Sequence, residues 1–345
     1  MRSGDVDVAI AGGGPAGAAA ACVLARAGLR VLLADAGGAH RFKVGEGLPP
    51  SARHLLRELG ALERILADGH RASHGTLALW GNDTAHANDY LFQPHGHGLQ
   101  LDRARFDAAL LEHAQASGAE VWHEAKLALL PAASEKGKHR LHLRMQSHES
   151  VIGCRWLIDA TGRPATLARA LGAARIQHDT LLAFHMRLAS SADSDQDGRT
   201  WVEAVAEGWW YSVLLPSRER LVAFQGDADL VDRRTLLSRD GLWQALARAP
   251  HLYARCRQHS YAPTGSPHGA DASSSHLDHS ARLPSDAPPS NAPHSIAPAF
   301  KRAAFKRPRL ARRRRRRACL RSVVLKRYLE RAVYRHARRA GAREL

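Results

Sequence analysis

Cysteine is scarce in this chain and forms no pattern. Cys22, Cys154, Cys256 and Cys319 include no Cys-x-x-Cys pair and no metal-ligand spacing, which argues against a zinc site or a disulfide framework. Cys22 falls in an Ala-rich helical stretch and reads as a small buried filler. Long apolar runs are also missing: nothing approaches the about 18 residues that a spanning helix needs. Arg2, Asp5 and Asp7 precede the first short apolar run and its glycines, so the start reads as a strand and not as an export signal. A cytoplasmic, reducing setting is the expectation.

Charge balance is lacking only at one end. The formal net charge is +17, yet residues 1–278 carry 30 Lys+Arg and 30 Asp+Glu, whereas residues 279–345 carry 20 and 3. The basicity therefore belongs to the tail, and the body gives no sign of a nucleic-acid partner. With 345 residues and an apolar fraction of 45%, the chain can fill one large α/β core or two interleaved domains.

The order of elements begins a parallel α/β sheet. Asp5–Ala11 reads as a strand, Gly12–Gly17 as a turn, Ala18–Ala27 as a helix and Val31–Ala34 as a second strand ending at Asp35. Helical periodicity covers 51–67 and Arg103–Ala116, and strands are expected at Leu141–Leu143 and Trp156–Ala160. From Thr180 the pattern becomes antiparallel sheet: Leu181–Leu188, Thr200–Val205, Trp209–Leu215 and Leu221–Gln225, with Ser190–Arg199 as an exposed turn and Leu236–Ala247 as a returning helix. The expected organisation is a Rossmann-like dinucleotide-binding domain over 1–175, to which an interleaved antiparallel-sheet substrate domain over 176–258 is added. Parts of 75–100 are assigned to the substrate domain, and 259–278 is read as a return to the first domain. Residues 279–345 are expected to be a disordered or aberrant basic tail.

Gly12-Gly13-Gly14-Pro15-Ala16-Gly17 matches G-x-G-x-x-G in its required strand-turn-helix setting. Gly12 permits the tight turn, Gly14 admits a pyrophosphate and Gly17 allows close helix packing, while Pro15 and Ala16 open a helix whose N–H groups face the negative charge. Asp35, about twenty residues on, can accept hydrogen bonds from ribose hydroxyls. An acidic ribose contact disfavours a 2′-phosphate but leaves NAD and FAD both open.

Four segments carry a resemblance. They are the glycine turn, Gly45-Glu46-Gly47-Leu48-Pro49-Pro50, Leu101-Asp102-Arg103-Ala104-Arg105-Phe106-Asp107, and Asp159-Ala160-Thr161-Gly162-Arg163. As a set they resemble the FAD-dependent monooxygenase superfamily, which includes aromatic hydroxylases, flavin-dependent halogenases and geranylgeranyl reductases. The resemblance implies FAD as cofactor, NAD(P)H or a partner flavin reductase as electron source, and cofactor contacts at Glu46, Arg103, Asp159 and Gly162. From the residues alone, Arg103 could be a solvated helix arginine and Asp159 a turn cap. Gly208-Trp209-Trp210-Tyr211 resembles the substrate-domain strand of the halogenase-like branch. Trp209, Trp210 and Tyr211 there could wall an aromatic cavity or fill the sheet core. His95 and His97, on the loop Pro94–Gly98, are acid–base candidates or ordinary surface histidines.

Halogenases of this superfamily carry a lysine beyond the Gly-Glu segment. After Lys43 the next lysine here is Lys126, and Gly69–Gly75 contains none. The expected reaction is therefore oxygenation of a tryptophan-like or other aromatic substrate by reduced flavin and oxygen, on a halogenase-like scaffold such as that of the flavoproteins that mature peptide-derived quinone cofactors. Halogenation and geranylgeranyl-reductase-like chemistry are the enzyme alternatives. Related proteins continue into a Gly-Asp-Ala-Ala turn near the flavin; none follows Asp278, and a reading-frame change there is the expectation, with activity placed in question. The competing class is non-catalytic binding of nucleic acid or anionic surfaces through the six arginines Arg312–Arg317.

Overall fold

A computed structural model of the protein describes residues 5–37, 42–81, 83–130, 138–145, 148–192, 194–271 and 275–278. The expectations for the basic tail, its frame and its binding properties fall outside these residues, as does Cys319.

The chain opens with β1 (Val6–Ala11), α1 (Pro15–Arg26) and β2 (Val31–Asp35). Next come β3 (Gly47–Leu48), α2 (Ala52–Glu58), α3 (Leu62–Ala67), β4 (Arg71–Ser73), β5 (Gly75–Leu79), β6 (Ala85–Asp89) and β7 (Gly98–Gln100). The single helix expected over 51–67 is two, because Gly60 takes φ +74°, a left-handed value that ends α2 and re-aims the chain. The middle contains α4 (Arg103–Ala116), β8 (Glu120–His123), β9 (Ala125–Leu129), β10 (His139–Met145), β11 (His148–Asp159), α5 (Thr166–Ala170) and β12 (Ala174–Gln177). Asp102 caps α4 by accepting the Ala104 and Arg105 N–H groups at 3.0 and 3.1 Å.

Then follow β13 (Leu181–Ser190), β14 (Thr200–Val205), β15 (Gly208–Leu214), β16 (Arg220–Asp227), α6 (Arg233–Leu236), α7 (Arg239–Leu246), α8 (Pro250–Gln258), β17 (Tyr261–Pro263), β18 (His268–Asp271) and β19 (Ser275–Asp278). The returning helix expected over 236–247 is interrupted at Ser238, whose hydroxyl accepts the Gly241 N–H at 3.1 Å and caps α7.

Among the described residues one sheet runs β8-β2-β1-β11-β10-β9. Its β8, β2, β1 and β11 are mutually parallel, and the β10–β11 and β9–β10 pairings are antiparallel. β1 sits in the middle with Ile10 and Ala9 fully buried, the position an apolar parallel strand demands. β11 does two jobs: residues 148–154 pair with β10, and residues 154–159 pair with β1. Among the described residues no strand pairs with the other edge of Arg155–Asp159, and Trp156 there is 64% exposed. The second large sheet runs β17-β13-β16-β15-β14-β5-β6, antiparallel except for β5 beside β14, with β18 also on β13. Trp210, Phe224, Leu242, Leu246 and Leu252 form its core beneath α6, α7 and α8. A small sheet, β3-β7-β4, lies next to the loop that carries Glu46.

The segment 190–199 is not simply an exposed turn. Asp195 is buried, and it pairs with the fully buried Arg220 at 2.6 Å and with Arg255 at 2.7 Å. Ion pairing with both arginines pins this connection to the sheet.

Candidate cofactor and substrate site

The glycine turn leaves the carboxyl end of β1, where open α/β sheets bind ligands. Gly12 has φ +105°, and a Cβ there would strike the Ala160 carbonyl of the neighbouring turn; a Cβ on Gly17 would strike Gly12 O. At Gly14 a Cβ would meet nothing within 4 Å. Two glycines are thus required by packing, while the third faces open space at the N-terminus of α1, where Pro15 and Ala16 begin the helix. That is the cradle a pyrophosphate needs: room at the helix end and N–H groups pointing into it. Asp35 at the end of β2 accepts from Gly13 N–H at 3.2 Å and Gly37 N–H at 3.3 Å, which holds its carboxylate beside the turn.

Asp159 and Gly162 form the facing turn after β11. The two Asp159 oxygens accept from Thr161 N–H and Oγ1–H at 2.9 and 2.6 Å and from Leu167 and Ala168 N–H, both at 2.8 Å. Burial opposes ionisation, but these hydrogen bonds win and hold the carboxyl below its ordinary range. Asp159 therefore shapes the turn through its own backbone contacts. Gly162, with φ +74° and nothing within 4 Å of a Cβ, lies open.

The segment around Glu46 is tied down from α4. Arg103 donates to Val44 O at 3.0 Å and Gly45 O at 3.3 Å, and pairs with Asp107 at 3.1 Å, so it is not a solvated helix arginine. Lys43 reaches the same Asp107 at 2.8 Å. Glu46 is only 3% exposed; it accepts from Gly45 N–H at 2.8 Å and lies within electrostatic reach of Tyr211 of β15. Burial pushes its pKa up against these bonds and the Arg103 charge, so the neutral carboxyl persists to higher pH than usual. Burial and Glu46 together push Tyr211 far above the ordinary phenol range.

Strand alternation then sorts the aromatics. Tyr211 and Trp209 share one face of β15, and Trp209 meets Trp80 with ring centroids 6.1 Å apart. Trp210 points the other way, is fully buried, and packs on Phe224 at 5.1 Å. Of the three candidate wall residues, Trp210 is sheet core. His95 stacks on His54 at 5.6 Å, and His97 contacts the Gly98 carbonyl at 2.8 Å and Arg53 at 3.4 Å. Neither histidine touches Glu46 or Tyr211 in the hydrogen bonds described. A residue that sequence reasoning missed is Gln100: buried, it donates to Ser73 Oγ at 3.2 Å and to Thr200 Oγ1 at 3.1 Å, joining the small sheet to β14. Its position in an apolar strand, Gly98–Gln100, gave no distinguishing signal.

The family model for an FAD binding domain matches residues 5–207. The chain belongs to this FAD-binding family. Several of the relatives and solved structures that it resembles are halogenases. LodB of Marinomonas mediterranea, named as an FAD-dependent oxidoreductase, is 27% identical over 252 residues, which is 72% of this chain and 68% of LodB. The tryptophan 2-halogenase of Chondromyces crocatus is 31% identical over 162 residues, 47% of this chain but 31% of that enzyme. The structure of the myxobacterial chondrochloren halogenase CndH superposes with a TM-score of 0.70 at 21% identity, covering 79% of this chain and 65% of that one. The chain thus spans from under a third to about two thirds of the length of these proteins. FAD fits the residues present: the open Gly14 position, the bare helix N-terminus and the Asp35 carboxylate are what its diphosphate and ribose require. Among the described residues no cluster of three or more His, Cys, Asp or Glu could hold a metal ion, and no helix is long and apolar enough to cross a membrane.

Proposed function

We propose that the chain is the FAD-binding body of a flavin-dependent oxidoreductase of halogenase type that acts on an aromatic substrate. The observation that carries this reading is the buried Glu46, on the loop that Arg103 ties down, within electrostatic reach of Tyr211 on the aromatic face of the second sheet. FAD, when bound, supplies two-electron redox chemistry and, once reduced, reactivity toward dioxygen; the residues of the chain bind, orient and exclude water. The Gly12–Gly17 turn and the N-terminus of α1 take the diphosphate, and Asp35 takes the ribose. Trp209 and Trp80 offer ring faces to a planar substrate. Burial lets the Glu46 carboxyl keep its proton to higher pH than an exposed one.

The halogenase reading replaces the oxygenation preferred from sequence, because two of the three relatives named above are halogenases. One observation favours oxygenation as the second reading: no lysine lies between Lys43 and Lys126. The test supplies full-length protein with FAD, NADH, a flavin reductase and tryptophan or indole, with bromide, with chloride or with no halide, and analyses products by mass spectrometry. Halide-dependent incorporation supports halogenation, and halide-independent gain of one oxygen supports the second reading. Tight FAD binding with neither product would overturn both. Whether the electrons come from NAD(P)H directly or through the reductase is read by omitting the reductase.

A further inference from the structure

The second large sheet ends in an open edge. Among the described residues β6 (Ala85–Asp89) pairs only with β5, and every residue of the strand is exposed. Tyr90 N–H donates to His74 O at 2.8 Å directly across the β5–β6 ladder, so the hydrogen-bonded pairs recur at Asn88–Thr76 and His86–Ala78. The N–H and C=O groups of Ala85, Ala87 and Asp89 therefore point outward, and among the described residues no backbone group pairs with them. The strand contains no lysine, proline or bulge, the devices that keep an edge from pairing. Just beyond it, Leu91 and Phe92 are 81% and 90% exposed, more than any other large hydrophobic side chain described.

The strand is complementary to itself. Laid antiparallel on a copy about a two-fold axis at Ala87, it sets Ala87 opposite the partner's Ala87, Ala85 opposite the partner's Asp89 and His86 opposite the partner's Asn88. The outward groups of Ala85, Ala87 and Asp89 then meet in hydrogen-bonded pairs, about six hydrogen bonds in all. Asp89, the one carboxylate of the strand, does not face itself, and His86 and Asn88 can bond across the join. The same axis brings Leu91 and Phe92 toward the β5–β6 turn of the other copy. Ala85 and Ala87 give the edge none of the side-chain pockets by which a sheet selects a foreign strand. We propose that β6 is a homodimerisation edge: two copies of the chain join β6 to β6, antiparallel about Ala87, and continue the second sheet across the two-fold. So short a strand pair is smaller than a standard interface, and self-association is expected at roughly micromolar protein. The dimer does not rest on the proposed reaction.

The test is sedimentation velocity on the full-length protein over a series from about 1 to 100 µM. Wild type is expected to pass from monomer to dimer across the series. Ala87→Pro removes an outward N–H and leaves the β5 ladder intact; it is expected to weaken association roughly tenfold or more. Ala87→Lys and Ala87→Asp each set like charges face to face at the axis and are expected to weaken it by roughly threefold or more, while an equimolar mixture of the two is expected to dimerise again. Recovery in the mixture also shows that both variants are folded, and it requires that residue 87 meet itself. Hydrogen exchange reads the same edge: protection of the 85–89 backbone is expected to grow with protein concentration. A monomer at every concentration overturns the proposal, as does a dimer that none of these substitutions weakens, which joins elsewhere. Protection of 85–89 that is independent of concentration means that another segment of the same chain covers the edge, and overturns it as well.

Discussion

Replacing Asp195 with asparagine keeps size and removes one charge. Its consequence follows from what surrounds it. Asp195 Oδ2 accepts from Arg220 Nε and Nη2 at 2.9 and 2.6 Å and from Tyr261 Oη at 3.2 Å, and Oδ1 accepts from Arg255 at 2.7 Å. Arg220 is fully buried, and its remaining contacts are the Ser212 hydroxyl at 2.9 Å and the ring of Tyr261. Burial opposes ionisation of Asp195, but the two arginines and its hydrogen bonds hold the carboxyl below its ordinary range. An uncompensated buried guanidinium costs about 3–5 kcal/mol. For a body of this size that lowers the unfolding midpoint by roughly 6–20 °C. Differential scanning calorimetry of wild type and Asp195→Asn, at low and at high salt, measures it. Because the pair is buried, 0.5 M salt should leave the difference largely intact. A loss under about 1 kcal/mol, or one erased by salt, would show that the 190–199 connection is surface-held and that the buried network is not its anchor.

Three further outcomes follow from the site. Gly12→Ala forces a side chain into a left-handed backbone against the Ala160 carbonyl, which costs at least about 1–2 kcal/mol; FAD retained after gel filtration should fall roughly tenfold, and undiminished flavin absorbance would contradict the cradle. Glu46 has its folded pKa raised above the ordinary 4.5, so the neutral form contributes stability that is fully present below that value and is lost as pH rises through the folded pKa. Glu46→Gln should therefore gain in midpoint relative to wild type as pH is raised from 4 to 8, whereas a constant difference refutes the buried neutral carboxyl. Asp159 has the opposite sign: its lowered pKa gives stability that is present above the ordinary 3.8 and lost as pH falls through the folded value. Thermal scans of Asp159→Asn should lack this acid-limb decline, and an unchanged limb would mean that its four hydrogen bonds are not formed.

The N-terminal cradle was legible because local chemistry dictates it. A glycine turn between two apolar strands and an acidic strand end admits few alternatives, and β1, α1 and β2 start and stop within a few residues of the sequence reading. The second sheet was legible as alternating strands, but not what the strands faced. Trp209, Trp210 and Tyr211 are equivalent in composition, and only the register of β15 against β14 and β16 decides which of them meets Glu46. The 190–199 segment was misread because Asp195 looks like any loop aspartate until Arg220, 25 residues on, and Arg255, 60 residues on, are brought to it. Long-range pairing of this kind leaves no periodic trace. Asp159 was ambiguous for a related reason: a turn cap and a cofactor contact use the same residue, and the partners Leu167 and Ala168 had to be seen.

Alternation in β15 also makes the two faces of the second sheet separable by experiment. Tyr211→Phe removes the hydroxyl that acts on Glu46; a polar interaction of this kind is worth about 1 kcal/mol, or roughly fivefold in any binding equilibrium that needs it. Trp210→Phe, one residue away, leaves Tyr211 and Glu46 untouched and alters only packing against Phe224 and the helices; it should cost stability of about 1–3 kcal/mol through the void left behind. The expected pattern is therefore crossed: Tyr211→Phe weakens FAD retention with a small change in midpoint, and Trp210→Phe lowers the midpoint with FAD retention intact. Flavin absorbance per protein, measured with the melting curve on the same samples, reads both quantities. If Trp210→Phe instead releases FAD as readily as Tyr211→Phe, the two faces communicate through the strand, and the alternation of β15 no longer separates a cofactor-side face from a core face.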